Sequence, residues 1–210
     1  MKRNPDLEMR VAELYDDSLH YHNFSHVLRV IDAGAMMLEQ CRKEGVEVDE
    51  EAVYYAILLH DAGFLEDHAA KGFASKEAYS AHLSDLLLTE MGIDADVIAR
   101  VRTAILGTHV DARCLSNEDK LVRFADLWGL AADYEQFKLD TVNLKLESEM
   151  MGDRQISWDD WKAMAVARIN GFLREDMDLL SDYYDENGNS VFHAKVKENL
   201  NLLMADNSFP

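Results

Sequence analysis

The chain has 210 residues, enough for a substantial core, and 48% of them are hydrophobic while 29% are charged, a composition typical of a globular protein. Its 40 acidic and 21 basic residues give a formal net charge of −19, which disfavours binding to a nucleic acid polymer or to an anionic membrane. Two cysteines, Cys41 and Cys114, are too few for a disulfide framework, and no apolar run approaches the roughly 18 residues of a membrane span, so we expect a cytoplasmic protein.

Hydrophobic residues recur at helical spacing through most of the chain, and prolines stand only at positions 5 and 210. This periodicity predicts an all-α protein. Residues that commonly cap or end helices divide the chain further. The first predicted helix starts at Asn4-Pro5. The next four run from Asn23–Ser25 to Gly45, from Asp49 to Gly63, from Ser75 to Met91-Gly92 and from Asp94 to about Thr108. Another helix follows Ser116–Asp119, and the last three cover about 134–150, 157–181 and 190–204.

Residues 62–74 indicate a loop with weak helical character, and Asn187-Gly188 indicates a turn. The sequence contains no internal repeat and no linker rich in Gly, Ser or Pro. We therefore predict a single domain over residues 1–210, with a core of about residues 20–130 that holds the candidate site and a helical extension over about 135–210.

The first group of histidines contains His22 and His26, which are four residues apart. On one helix this spacing places both imidazoles on the same side, as happens when two nitrogens converge on one site. The alternative is that one of them only packs against the start of the second helix or caps it. His20 is out of phase with both, so we expect it at the surface.

The second group is His60-Asp61, which follows an apolar run and therefore lies at the end of a buried helix. Burying an imidazole and a carboxylate without partners costs several kcal/mol, so we expect them to pair, to form hydrogen bonds or to coordinate a metal. Adjacent residues on a helix diverge by about 100°, and they converge more easily where the helix ends. Gly63 is the predicted end.

Asp126 is a carboxylate inside an otherwise apolar helical segment. Aspartate is rarely buried without a partner. The simple interpretation is a salt bridge with Arg123 or Lys120 on the same helix. The other interpretation groups Asp126 with the two histidine motifs.

Three motifs follow one another in this order: Tyr21-His22-Asn23-x-x-His26, His60-Asp61-Ala62-Gly63 and Ala125-Asp126-Leu127. Their order resembles the signature of the HD-domain superfamily of metal-dependent phosphohydrolases, which is His, then His-Asp, then Asp. The resemblance implies an HD-type helical bundle and the metal ligands His26, His60, Asp61 and Asp126. It also implies that His22 is a general acid next to the metal, as in the cyclic-nucleotide phosphodiesterase branch, and counts Asp61 among the catalytic residues.

Two imidazoles and two carboxylates suit Mn, Fe, Co, Ni or Mg and also tolerate Zn. The activity implied by the resemblance is hydrolysis of a small phosphorylated metabolite, most simply a nucleotide, by a metal-activated water. Such an ion also attracts phosphate locally, where the net charge of the chain repels it.

Further site candidates lie between and around the motifs. Lys76 stands where binuclear members of the superfamily often carry a ligand histidine, and this departure favours one metal over two. We consider four residues as substrate contacts, namely Lys76, Glu77, Arg29 and Arg123, although surface pairing is the alternative for both arginines. His82 and His109 are candidates to donate a hydrogen bond to a phosphate or to act as acid–base groups. The alternative for each is a surface histidine at a helix end.

Two other functions stay open at this point. A di-iron oxygenase branch shares the fold and the ligand order, but it requires two irons. A non-catalytic HD module would bind a nucleotide or a partner, although it would have no reason to keep all four ligands. The sequence does not determine the oligomeric state, and a homodimer is compatible with it.

Overall fold

The structure, a computed structural model, describes residues 1–174 and 179–208. Those residues form nine α-helices and two short 3₁₀ helices, with no strand apart from an isolated bridge between Tyr184 and Ser190. The α-helices are α1 Pro5–Ala12, α2 Phe24–Glu44, α3 Glu50–Leu59, α4 Lys76–Glu90, α5 Ala95–Gly107, α6 Asn117–Leu127, α7 Tyr134–Gly152, α8 Trp158–Phe172 and α9 Val191–Ala205, and the 3₁₀ helices are Trp128–Ala131 and Ser181–Tyr183. The prediction of an all-α protein is confirmed. None of the helices in the described part of the chain has the length and apolar character needed to cross a membrane.

The helix starts follow from local capping. The side chain of Asn23 accepts hydrogen bonds from the backbone N–H groups of Ser25 and His26 at the start of α2. At the other end Gly45 adopts a left-handed φ of 71° and closes the helix by donating to the carbonyl of Cys41. Both ends of α2 are therefore as predicted, and its first turn carries His26.

Helix α6 begins with a reciprocal pair of hydrogen bonds. The Ser116 hydroxyl accepts from the Asp119 N–H at 3.1 Å, and the Asp119 carboxylate accepts from the Ser116 N–H at 3.2 Å. This is a capping box in which Asp replaces the usual Glu or Gln. The box sets the start of the helix that carries Asp126 near its other end.

Helix α3 ends earlier than predicted, at Leu59 rather than Gly63. The chain continues in tight turns, because the N–H of Ala62 bonds to the carbonyl of Leu59 at 3.2 Å and that of Phe64 to the carbonyl of Asp61 at 3.0 Å. Gly63 does not adopt a left-handed conformation. Its small size serves packing instead, since a Cβ there would lie 2.5 Å from the Tyr79 ring.

The chain divides into two compact units. The first consists of residues 1–18 and 22–126, and α3 lies at its centre, packed against α1, α2, α4 and α5. Every residue from 52 to 59 is buried. All four predicted metal ligands belong to this unit. The prediction of a single domain stays a prediction.

The second unit consists, among the described residues, of 19–21, 127–174 and 179–208. Asn199 on α9 donates to the carbonyls of Leu130 and Ala132, both at 2.9 Å, and so attaches α9 to the 3₁₀ helix Trp128–Ala131. The predicted helix over 157–181 is shorter, because α8 ends at Phe172. Its predicted continuation over residues 175–178 lies outside the described residues.

Candidate metal centre

Three separate segments of the first unit bring four side chains together. His26 comes from the first turn of α2, His60 and Asp61 follow the end of α3, and Asp126 lies near the end of α6. One imidazole nitrogen or carboxylate oxygen from each lies within 4.8 Å of all the others. Among the residues that the structure describes, this is the group with the composition and spacing to hold a metal ion.

The two imidazole nitrogens face the two carboxylates. Nε2 of His60 lies 3.1 Å from Oδ2 of Asp61 and 3.4 Å from Oδ1 of Asp126, while Nε2 of His26 lies 3.1 Å from Oδ1 of Asp126 and 3.9 Å from Oδ2 of Asp61. Ligands about 2.1 Å from a shared octahedral ion are separated by about 3.0 Å when adjacent and about 4.2 Å when opposite. The observed separations fall in this range.

The hydrogen bonding of His60 supports the same interpretation. Its Nδ1 lies 2.8 Å from the carbonyl oxygen of Ile57, which can only accept, so Nδ1 carries a hydrogen. Nε2 is buried and makes no hydrogen bond. Nε2 faces two carboxylate oxygens, so either a proton on Nε2 or a bound cation must offset their negative charge. The donor set therefore fits a cation.

Electrostatics keep the carboxylates ionised. Burial opposes the charge on Asp61, but Lys76, His60 and His22 outweigh it and hold the pKa of Asp61 well below its usual range. Burial likewise opposes the charge on Asp126, and His60 and His26 lower its pKa. At neutral pH both carboxylates are negative, as metal ligands must be.

The two histidines respond differently to the same surroundings. Burial lowers the pKa of His26, which favours the neutral imidazole that can bind a metal. Burial also opposes protonation of His60, but the negative charges of Asp61 and Asp126 raise its pKa well above the usual value. The centre of the cluster is thus a place of strong negative potential.

Asp126 is the most exposed of the four side chains. The side chain of Asp126 is 21% exposed, whereas those of the other three residues are 1–3% exposed. Three of the candidate ligands are therefore buried in the core, and Asp126 is partly exposed.

His22 lies beside this group and not within it. Its Nε2 is 4.0 Å from Oδ2 of Asp61, and its ring stacks on Phe64 with centroids 3.7 Å apart and planes 18° apart. Because α2 begins at Phe24, His22 precedes the helix, and the two histidines do not share a helix face as their spacing suggested. They approach each other, with ring centroids 5.9 Å apart, across the turn at Asn23.

Lys76 and Glu77 also lie at the cluster. Nζ of Lys76 is 2.7 Å from Oδ1 of Asp61 and 3.7 Å from Oε1 of Glu77, which is buried. Burial opposes the charge on Lys76, but Asp61 and Glu77 attract it, and the pKa of Lys76 is raised. Both residues open α4, directly after its N-cap Ser75.

The position of Arg123 does not fit its predicted role as a substrate contact. Its guanidinium is buried and donates to the carbonyls of Gly107, Val110 and Ala112 at 3.3, 3.2 and 2.7 Å. These bonds hold the segment that joins α5 to α6, which favours a structural role. The alternative of surface pairing does not describe it either, because the side chain points inward.

The remaining candidates do not belong to the four-residue group. Arg29 and His82 are exposed, and the ring of His82 lies 5.0 Å from that of Phe73. Nδ1 of His109 accepts from the N–H of Asp111 at 3.2 Å. The catalytic or substrate-binding roles of these three residues stay predictions.

Two aromatic residues at the site were not singled out from the sequence. Phe64, three residues after Asp61, stacks against the His22 ring. Tyr15 is buried and donates to the carbonyl of Leu58 at 2.8 Å, and burial with the charges of Asp61 and Asp126 raises its pKa well above the usual value. The position of Phe64 directly after the His60-Asp61-Ala62-Gly63 motif was an available signal, whereas no pattern marks Tyr15.

Comparison of the chain with models of known protein families gives no match, and comparison with curated proteins gives no significant match. The four side chains have donors and spacing that could hold a metal ion.

Proposed function

We propose that this chain is an HD-type metal-dependent phosphohydrolase that acts on a small phosphorylated metabolite, with a nucleotide as the leading substrate class. The observation that carries the proposal is the convergence of one ligand atom from each of His26, His60, Asp61 and Asp126, which all lie within 4.8 Å of one another. The motif order that resembles the HD-domain superfamily links this cluster to phosphate chemistry.

The residues that would hold the ion are His26, His60, Asp61 and Asp126. A divalent ion bound there supplies a Lewis acid that lowers the pKa of a water and neutralises charge on phosphoryl oxygens. The chain contributes two carboxylates that stay ionised and a His26 imidazole whose pKa burial lowers. Its core fixes three of the four side chains, so little reorganisation is needed on binding.

Two further side chains can act on a bound phosphate ester. His22 is half-buried next to the cluster and stacks on Phe64, which restricts its ring, and we propose that its imidazole gives a proton to a leaving oxygen. The ammonium of Lys76 offers positive charge beside Asp61. Local cations of this kind are needed because the chain as a whole carries a net charge of −19 and repels anions.

The experiment begins with protein stripped of metal by a chelator and dialysed. Mn²⁺, Co²⁺, Ni²⁺, Mg²⁺ or Zn²⁺ is then added separately, and a panel of phosphomonoesters and phosphodiesters, including nucleotides, is assayed. We expect hydrolysis that is absent after stripping and returns with at least one ion. Hydrolysis that is unaffected by chelator, or a protein that binds none of these ions, would contradict the proposal.

A further inference from the structure

Building on the proposed function, we propose that the ammonium of Lys76 is a fixed second cation of the site, so that the centre takes one divalent ion and Lys76 supplies the other positive charge to a bound phosphoryl group.

The inference starts from the two oxygens of Asp61. Oδ2 faces Nε2 of His60 at 3.1 Å and Nε2 of His26 at 3.9 Å, on the side where an ion would be held. Oδ1 accepts a hydrogen bond from Nζ of Lys76 at 2.7 Å. The carboxylate thus lies between the imidazole cluster and a positive charge, as a carboxylate that bridges two cations does.

The surroundings of the ammonium resemble a small cation site. Besides Asp61, Nζ of Lys76 lies 3.7 Å from Oε1 of Glu77 and 4.7 Å from the centroid of the Phe64 ring. The side chain of Glu77 is only 4% exposed, so its oxygen is directed into the protein and not toward solvent. Two carboxylates and an aromatic face surround one covalently attached cation.

A second divalent ion would need the same oxygens. It would have to displace Lys76 from Oδ1 of Asp61, and it would then lie close to a positive charge that the start of α4 holds in place. Ser75 caps this helix by accepting from the N–H of Ala78 at 3.2 Å, which determines where Lys76 begins. Repulsion between like charges at this distance opposes double occupancy.

The ammonium also remains accessible to a ligand. The side chain of Lys76 is 27% exposed, compared with 3% for Asp61. An ammonium has three N–H bonds, and Asp61 accepts one of them. A phosphoryl oxygen that enters from the solvent side can therefore meet Lys76 while a neighbouring oxygen meets the ion.

The test counts bound ions and measures phosphate binding, so it does not depend on turnover. The full chain, stripped of metal, is titrated with Mn²⁺ in a calorimeter, and electron paramagnetic resonance distinguishes isolated from coupled Mn²⁺. The binding of inorganic phosphate to the Mn²⁺-loaded protein is then measured. We expect one Mn²⁺ per chain in the parent protein. In Lys76→Met we expect phosphate binding weakened by roughly 10-fold or more, because a charged hydrogen bond is lost.

Two further variants complete the test. Lys76→Arg keeps the charge and should keep both one Mn²⁺ and phosphate binding. Lys71→Met is the matched control, since Lys71 is exposed and pairs with Glu66 at 3.2 Å, outside the four-residue group, and its loss should change neither quantity. Lys76→His removes the fixed charge and adds an imidazole, so it should admit a second Mn²⁺ with the spectrum of a coupled pair.

The outcomes separate this inference from the proposed function. Two Mn²⁺ per chain in the parent protein would overturn the role of Lys76, and so would a folded Lys76→Met variant with unchanged phosphate binding. One Mn²⁺ and the expected variant behaviour without any hydrolysis would support the role of Lys76 and remove only the proposed function. Failure of the parent protein to bind Mn²⁺ or any of the other four ions would overturn both.

Discussion

Nδ1 of His60 donates to the carbonyl oxygen of Ile57 at 2.8 Å, one helical turn earlier on α3. This bond fixes the ring orientation and leaves Nε2 to face the two carboxylates. The end of a helix is where such a carbonyl is free to accept, because it has no intrahelical partner. The backbone of α3 therefore orients the nitrogen on which the candidate centre depends.

Replacement of Asp126 by Asn should lower metal affinity and hydrolysis together. The amide keeps the shape of the side chain but removes the negative charge that faces both His26 and His60. We expect both quantities to fall by factors of roughly 10 to 100 or more. Metal analysis and rate measurements check this, with circular dichroism to verify folding. Asp17→Asn, the same change at an exposed position, is the control.

If folded Asp126→Asn protein keeps full metal occupancy and full activity, Asp126 is not a ligand and the metal centre is misassigned. A fall that is equally large in Asp17→Asn would point to a general charge effect instead.

Replacement of His22 by Gln should separate catalysis from metal binding. His22 lies 4.0 Å from Asp61 but outside the four-residue group, so metal content should stay unchanged. The rate should fall by roughly 10²–10⁴-fold if the imidazole transfers a proton. His20→Gln, an exposed neighbour, should alter neither property. A His22→Gln variant that hydrolyses substrate at the parental rate would exclude a role as general acid.

Replacement of Gly63 by Ala should destabilise the protein and weaken metal binding. The added Cβ would lie 2.5 Å from Cδ1 of Tyr79, and the backbone that carries Asp61 would have to move. We expect a loss of about 1–3 kcal/mol in the free energy of unfolding, measured with urea. Gly152→Ala is the comparison, because its nearest neighbours are side-chain atoms of Arg154 at 3.5 Å. Equal stability of Gly63→Ala and the parent would show that the ring moves aside freely.

We expect the stability of the protein at acidic pH to depend on Glu8. Hydrogen bonds from Arg3 lower its pKa despite partial burial, and the Tyr54 hydroxyl donates to it as well at 2.7 Å, which links α1 to α3. A folded-state pKa below the unfolded value contributes stability above the unfolded pKa, roughly 4.3, and this contribution is lost as the pH falls through the folded pKa.

Glu8→Gln should therefore be less stable than the parent at pH 7, and the difference should shrink toward pH 3. Urea unfolding at a series of pH values measures it, with the exposed Glu13→Gln as control. A difference that is constant with pH would mean that the charge of Glu8 contributes nothing and that only the hydrogen bonds of its side chain matter.

The starts of the helices could be predicted from sequence because capping is local. Asn23 binds N–H groups two and three residues away, and Ser116 and Asp119 bind each other. The same locality explains one error. Gly63 looked like a helix end, yet its role depends on the ring of Tyr79, which is brought there by another helix.

The candidate ligands were recognisable from the order of their motifs, which the sequence contains in full. The sequence by itself thus determined which residue types are available and where the helices that carry them begin. Only the tertiary structure decided that His26 and Asp126, 100 residues apart, contact each other, that Lys76 shares Asp61 with the cluster, and that Arg123 turns inward. These contacts join different helices, and their existence depends on how α2, α3, α4 and α6 are placed in three dimensions, which no local pattern encodes.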